Sequence, residues 1–392
     1  MKKALVIHGN IYEFGGAEAT AVKNVKILEE LNFEVTVLHA GGALDVERVR
    51  QRMGITLDPQ RVRFVQAPLF ARFPSLLRGR LLLEYAIVVR AAKSLAPKAD
   101  LVVGTYGETP VEARRLLQSI HIPIFFFDGE SLRYLAGRKL GPLQHATRAA
   151  YVIASRLIAG WSRRAAERGV MLVNSNWTAR QYLRHYPTAR VKTLYHGATT
   201  EIDSRDPRYL PHAERAQGIV ILGRVVPFKR IEAGVAIVDR LREIGHDVAL
   251  TIVGGGDGDY ADKVRALIAD RPHATWRRDM PRAELERFIS TQRWGLHCAQ
   301  FEHYGLAPLE LERLGCVTFV HDSGGQVEIV QDETQRYQDI DDAVRKMDRV
   351  MRDPALAQRL FEALPAAVGR HLTSAYREAF IAEVKATGVL DA

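Results

Sequence analysis

Short apolar runs rich in Val, Ile and Leu recur along this chain, each followed by a stretch of helical periodicity. In the first half the runs are Ala4–His8, Glu34–Leu38, Val62–Val65, Leu101–Gly104, Ile122–Phe127 and Val170–Val173. Helical patterns lie between them, as at Ala17–Leu31 and Leu76–Leu95. Buried strands that alternate with helices form a mostly parallel sheet covered on both faces. The alternation lapses over Gly197–Gly218, which is polar and turn-rich and carries Pro207 and Pro211. It restarts with Gly218–Leu222, Val248–Val253, Trp294–Cys298 and Val317–Val320, and the chain is helical and charged from about Ala343. The expected architecture is α/β, two doubly wound domains in tandem. We place the first at 1–196, a linker at 197–217, the second at 218–370, and a final helix at 371–392 that packs back on the first domain.

A length of 392 residues suits two domains of ordinary size. No stretch reaches the roughly 18–20 unbroken apolar residues of a membrane-spanning helix. The opening Met1–Gly9 reads as a first buried strand, not as a leader peptide. Cys298 and Cys316 each sit in a strand-like segment and read as buried reduced thiols, which points to the cytoplasm. Charge is uneven. Residues 1–192 hold 29 Lys plus Arg against 15 Asp plus Glu, a balance of +14, whereas the rest hold 26 against 31, a balance of −5. The first half therefore suits an anionic partner. No nucleic-acid motif accompanies the charge, so nucleic acid is not expected.

Open parallel sheets bind ligands at the carboxyl ends of their strands. Strand Gly218–Leu222 runs into Gly223-Arg224-Val225-Val226-Pro227-Phe228-Lys229, which puts two cations at a strand end. Fixed cations there can stabilise charge developing on a diphosphate leaving group. A merely basic surface loop has the same sequence. Read as cleft groups, both can be removed with folding nearly unchanged. Strand Trp294–Cys298 runs into Phe301-Glu302-His303-Tyr304-Gly305-Leu306-Ala307-Pro308-Leu309-Glu310. Gly305 allows close backbone approach to a ligand, and Pro308 suits a first helical turn. A carboxylate such as Glu310 can accept both ribose hydroxyls. Glu302 and Glu310 also fit plain helix-start carboxylates.

The Glu-x7-Glu spacing of Glu302 and Glu310, with Tyr304-Gly305-Leu306 between them, resembles the family-4 retaining glycosyltransferases. The Arg224…Lys229 pair lies upstream as in that family. So do Gly15-Gly16-Ala17-Glu18, similar to its N-terminal glycine loop, and Asn174-Ser175-Asn176-Trp177-Thr178. Asp322-Ser323-Gly324-Gly325 resembles its Gly-Gly turn. The resemblance implies the GT-B fold, two Rossmann-like domains facing a cleft. The first would bind the acceptor and the second a nucleoside-diphosphate sugar. It implies that Arg224 and Lys229 hold the diphosphate, that Glu302 contacts the donor sugar and that Glu310 binds the ribose. Gly15, Gly16, Gly223 and the backbone of Tyr304, Gly305 and Leu306 would approach the donor. It further implies retention by front-face attack.

One departure falls at Phe125-Phe126-Phe127-Asp128-Gly129-Glu130, where relatives often carry a catalytic His. Asp128 is the candidate there, either catalytic or capping a helix. His8 and His121 are weaker candidates. Asp257-Gly258-Asp259 has the spacing of a metal motif but follows Gly254-Gly255-Gly256, so it reads as a turn. No obligatory metal or cofactor is expected, since Arg224 and Lys229 already supply positive charge. Ser131–Ala166 holds seven basic residues and no acidic one, interleaved with Leu135, Leu140, Leu157 and Trp161. Leu69–Lys98 is similar in kind. Such stretches suit peripheral docking on the inner face of an anionic membrane, with a lipid-linked, sugar or glycan acceptor. Ordinary domain helices with a solvated basic face fit equally. The other functions kept open are a non-catalytic nucleotide-sugar-binding scaffold and a nucleotide-sugar epimerase.

Overall fold

The computed structural model describes residues 1–9, 16–41, 45–73, 80–126, 141–198, 200, 202 and 204–391. They divide into two compact units. One holds the described parts of 1–126, 141–195 and 376–391, and the other those of 196–375.

The first unit is built on β1 (Lys2–Ile7), β2 (Phe33–His39), β3 (Val62–Gln66), β4 (Leu101–Gly104), β5 (Leu116–Ile120), β6 (Val170–Val173) and β7 (Arg190–Thr193). All pairings are parallel, in the order β3-β2-β1-β4-β5-β6-β7. The order reverses between β1 and β4, which makes a doubly wound sheet with a switch point there. Val6, Val35, Val37, Leu101 and Val103 lie within one buried core. Helix Thr373–Ala386 adds Tyr376, Phe380 and Val384 to it. The Tyr376 hydroxyl donates to Asn24 Oδ1 at 2.6 Å, and Arg115 Nε donates to the Thr387 carbonyl at 2.9 Å.

The second unit repeats the plan with β8 (Ala216–Leu222), β9 (Ala249–Val253), β10 (Ala274–Arg277), β11 (Gln292–His297), β12 (Val317–His321) and β13 (Arg336–Tyr337). The parallel order is β10-β9-β8-β11-β12-β13, with its switch point between β8 and β11. Ile219, Ile221, Leu250, Ile252, Leu296 and Phe319 fill the core.

Two expectations are corrected. Of the expected strand Ile122–Phe127, the described residues 122–126 are not a strand and Phe127 lies outside the described residues; the strand is Leu116–Ile120, all five residues buried, which pairs with β4 through Leu116–Gln118 and with β6 through Leu117–Ile120. Pro123 has no N–H to give a ladder, and Phe125 and Phe126 serve as packing residues instead. The described residues of the expected linker 197–217 are not a free linker but part of the second unit. Ala198 N donates to the His371 carbonyl at 3.0 Å, Ile202 is fully buried, and Arg215 donates to the Leu314 carbonyl at 2.8 Å.

Candidate functional site

The β8 and β11 loops leave adjacent strands at the switch point of the second unit, so their residues meet there by topology. After β8, Gly223 N donates to the Val253 carbonyl at 2.9 Å and Val225 N to the Gly255 carbonyl at 2.8 Å. Gly254–Gly256 thus forms the turn that braces this loop. Val225 is buried and Arg224 is exposed. Pro227–Lys229 makes one 3-10 turn, which brings Lys229 back over the strand ends.

After β11, the loop is held from behind by the segment that follows β12. Phe301 N donates to Ser323 Oγ at 2.9 Å, and Gly325 N donates to the Glu302 carbonyl at 2.6 Å. The buried Gln326 amide donates to the Ala299 and His321 carbonyls at 2.9 and 2.7 Å. A Cβ on Gly324 would stand 2.3 Å from the Glu302 carbonyl oxygen, so only glycine allows this clamp.

The clamp aims Glu302 at Lys229. Lys229 Nζ donates to Glu302 Oε2 at 2.6 Å, and His297 Nε2 lies 3.3 Å from the same oxygen. The side chains of Lys229 and Glu302 are only 16% and 11% exposed. Burial pushes the Glu302 carboxyl up, but Lys229 and His297 outweigh it and hold it well below the ordinary carboxylate range. Burial and then Lys229 push His297 down against the pull of Glu302, which favours the neutral ring. A neutral imidazole facing an ionised carboxylate must carry its proton on Nε2. His297 was not singled out in the sequence. It sits at the end of a buried strand, where a histidine looks like core.

Gly305 has φ 112°, a conformation L residues avoid, and it opens the helix Leu306–Arg313 without a side-chain cap. The amides of Leu306 and Ala307 therefore lack intrahelical acceptors, and Pro308 has none to give. The Tyr304 side chain is committed to packing. Its hydroxyl contacts the His196 carbonyl at 2.5 Å and His371 Nδ1 at 2.8 Å. Burial, then Arg370, push His371 down to about 4. Any part Tyr304 plays in the site falls to its backbone. Glu310 lies one turn into the helix, and its Oε2 accepts from Arg282 Nη1 at 3.1 Å. Arg282 also donates to Glu286 at 2.7 Å. It too escaped sequence reasoning, being distant in the chain from Glu310.

Asp257 is surface-exposed and paired with Arg278 at 2.8 Å, and Asp259 begins the helix Asp259–Ile268. Among the described residues, no three His, Cys, Asp or Glu side chains gather as a metal's ligands. Gly16 belongs to the first unit, as the start of helix Gly16–Glu30. Gly15 and Asp128 lie outside the described residues. The carboxyl ends of β1 and β4 collect further polar groups in that unit. His8 Nδ1 is 2.8 Å from Thr105 Oγ1, and its Nε2 is 3.9 Å from Glu18. The His121 carbonyl accepts from the Asn174 amide at 3.3 Å.

Residues 204–364 match the family model described as glycosyl transferases group 1. Among curated proteins, the chain is similar to the GDP-Man:Man(3)GlcNAc(2)-PP-Dol alpha-1,2-mannosyltransferase of Candida glabrata, at 22% identity over 40% of this chain and 33% of that protein. It is similar at 23% to the protein of the same name from Mus musculus, over 40% of this chain and 34% of that one. The match thus spans about a third of the length of these relatives. Among solved structures, it resembles sucrose-phosphate synthase from Thermosynechococcus elongatus with a TM-score of 0.72 at 16% identity, covering 98% of each chain. It resembles HepE of Anabaena, solved with UDP and glucose, with a TM-score of 0.67 at 15% identity, covering 97% of this chain and 99% of that one. It resembles WaaG, described as a glycosyltransferase involved in lipopolysaccharide biosynthesis, with a TM-score of 0.69 at 16% identity, covering 96% and 98%. These likenesses show the fold, two Rossmann-like domains of the GT-B glycosyltransferase type.

Proposed function

We propose that this chain is a retaining, family-4-type glycosyltransferase that moves a hexose-type sugar from a nucleoside-diphosphate sugar to an acceptor hydroxyl. The observation that carries the reading is the buried Lys229–Glu302 pair at the β8/β11 switch point, beside the uncapped start of helix Leu306–Arg313. Lys229 has three N–H donors, and one goes to Glu302. The others, with Arg224 and the Leu306 and Ala307 amides, receive the diphosphate. As the bond from the anomeric carbon to the phosphate oxygen lengthens, negative charge grows on that oxygen. The fixed donors stabilise it most at the transition state. Glu302, kept ionised by Lys229 and His297, accepts from a hydroxyl of the donor sugar. Glu310, oriented by Arg282, accepts from the ribose.

The acceptor oxygen attacks the anomeric carbon from the face the phosphate leaves, and its proton passes to the departing phosphate. No side-chain nucleophile is needed. Asp128 is proposed to orient the acceptor, and Gly15, Gly16 and Gly223 to let backbone approach the donor. The names of the curated relatives put GDP-mannose first among donors to try. Incubation with nucleotide sugars and an acceptor extract separates the alternatives. A scaffold releases no nucleoside diphosphate above background, and an epimerase converts the sugar without an acceptor. Because Arg224 and Lys229 supply the positive charge, activity is expected to survive excess EDTA to within a few-fold. Complete loss, restored by Mg²⁺ or Mn²⁺, would show that a metal site had been misread.

A lipid-linked acceptor and an anionic membrane surface belong to the same proposal. On helix Pro142–Ala159, Leu143, Ile153 and Leu157 are 80%, 55% and 75% exposed. At about 100° per residue they fall within an arc of about 80°. Arg163 and Arg164 follow, both exposed. Arg156 is not part of this surface: its guanidinium bonds the Phe125 carbonyl and covers Phe126 and Trp161. Arg133, Leu135, Arg138, Lys139 and Leu140 lie outside the described residues. No helix among the described residues is long and apolar enough to cross a membrane. Each basic residue near an anionic surface contributes about 1 kcal/mol, within a Debye length. Flotation with anionic vesicles at low salt is therefore expected, weakening with salt. It should fall when Leu143, Leu157, Arg163 and Arg164 become Ser. Failure of the unmodified protein to float would leave a soluble acceptor.

A further inference from the structure

Arg230 breaks several local rules at once. Its φ is 51°, a left-handed conformation that an L side chain disfavours. It occupies the N-cap of helix Ile231–Glu243, where it offers no acceptor to the first amides. It also places a cation at the positive end of the helix. The fold compensates the backbone, since Arg230 N donates to the Pro227 carbonyl at 3.1 Å and the Tyr260 hydroxyl accepts from Ile231 N at 2.9 Å, but not the side chain: its guanidinium forms no hydrogen bond or ion pair among the described residues. Local penalties left uncompensated at a side chain are expected where it serves a ligand.

The side chain lines a cavity of about 340 Å³. That is the low end of the size range of small-molecule sites. The cavity lies beyond the carboxyl ends of β11 and β12, between the starts of helices Ile231–Glu243 and Ile340–Arg352. Ala233, Ile237 and Cys298 make an apolar floor, and Gln300 and Gln338 add amides. The carboxylates that also line it are already engaged. Asp339 accepts from Asp342 N at 2.9 Å, and Asp341 pairs with Arg240. Gln300 Nε2 meets His321 Nε2 at 3.0 Å, and His321 Nδ1 meets Ser323 Oγ at 2.8 Å. The Gln300 amide keeps a second N–H beyond this chain of bonds.

We propose that this cavity is a second anion site that takes the phosphoryl group of a small phosphorylated molecule, with Arg230 as its anchoring cation and the apolar floor under the carbon part. A planar guanidinium meets two phosphoryl oxygens at once, and two helix starts add to the field. The site is separate from the donor diphosphate assigned to Arg224 and Lys229, and it stands whether or not that reading does.

Calorimetry on the full chain tests it, with GDP or UDP first added to saturation and then inorganic phosphate or glucose 6-phosphate titrated in. Binding should persist with nucleotide present. In Arg230→Gln it should weaken at least 10-fold, with nucleoside diphosphate affinity within 2-fold of the parent. Arg230→Gly should lose phosphate binding equally and yet melt at a higher temperature, since glycine suits both the left-handed backbone and the cap. Glucose 6-phosphate binding more tightly than phosphate identifies an organic phosphate as occupant; equal affinity identifies free phosphate. If no nucleoside diphosphate binds, the donor reading fails, and the phosphate titration without nucleotide still decides this one. The proposal is overturned if the parent binds neither probe, if Arg230→Gln binds them as well as the parent, or if that variant loses nucleoside diphosphate in parallel.

Discussion

Lys229→Ala is expected to lower turnover by about 10²-fold or more, the scale of losing one donor aimed at transition-state charge. The sequence alone treated this residue as a cleft group whose removal leaves folding nearly intact. The 2.6 Å bond to the buried Glu302 changes that. Removing one partner of a buried pair costs about 3–5 kcal/mol, and the lower end applies because His297 remains and the pair keeps some exposure. The pH dependence follows in sign. In the parent, Glu302 titrates below its unfolded value, so it stabilises the fold above the ordinary carboxylate range and loses that contribution as pH falls. In the variant, burial loses the largest of its opponents, and the carboxyl is expected to rise. Its stability then declines as pH rises from about 4.3, the ordinary glutamate value, through the raised one. Urea melts at pH 5 and pH 7 should show the larger deficit at pH 7. The double variant Lys229→Met with Glu302→Gln should recover most of the stability and none of the turnover. Parent-like turnover in Lys229→Ala would remove the lysine from the chemistry.

Glu310→Gln is expected to weaken nucleoside diphosphate and donor binding together by about 10-fold or more, since hydrogen bonds to charged groups contribute about 1.5–3 kcal/mol. Arg282→Ala should weaken both in the same direction, because the arginine holds the Glu310 carboxylate at 3.1 Å. Glu302→Gln should instead depress turnover more than nucleotide affinity. Calorimetry and initial rates on the three variants check the division. The opposite pattern would exchange the roles of the two glutamates.

Much of the second unit is legible in the sequence because β8 ends in the buried apolar run Gly218–Leu222 and β11 in the buried Trp294–His297, with the candidate residues just beyond their ends. The edge strands are harder. β7 reads Arg-Val-Lys-Thr with alternating exposed positions, and β10 ends in Trp276-Arg277, so neither shows an apolar run. An aromatic run drew the eye to Phe125–Phe127, whereas the true strand includes Gln118 and Ser119. Gln118 is buried there because its amide nitrogen donates to the Ala166 and Arg168 carbonyls and its oxygen accepts from Thr109 N. Polarity at 197–217 suggests a linker. Arg215 shows why it is not one: its guanidinium ties down the Leu210 and Leu314 carbonyls and lies over Tyr209. His297 and Arg282 were invisible for a different reason, since each acts through a glutamate that only the fold brings beside it.

The most direct test of the donor site is a thermal-shift screen of the intact protein against nucleoside diphosphates and their sugars, GDP-mannose among them. A ligand present at about 100 times its dissociation constant adds about 2.7 kcal/mol to the folded state, enough to move the melt. Expected is a shift with at least one nucleoside diphosphate and its sugar, reduced in Arg224→Ala and Glu310→Gln. No shift with any of them, from protein that melts cooperatively, would contradict a nucleotide-sugar site at the β8/β11 switch point.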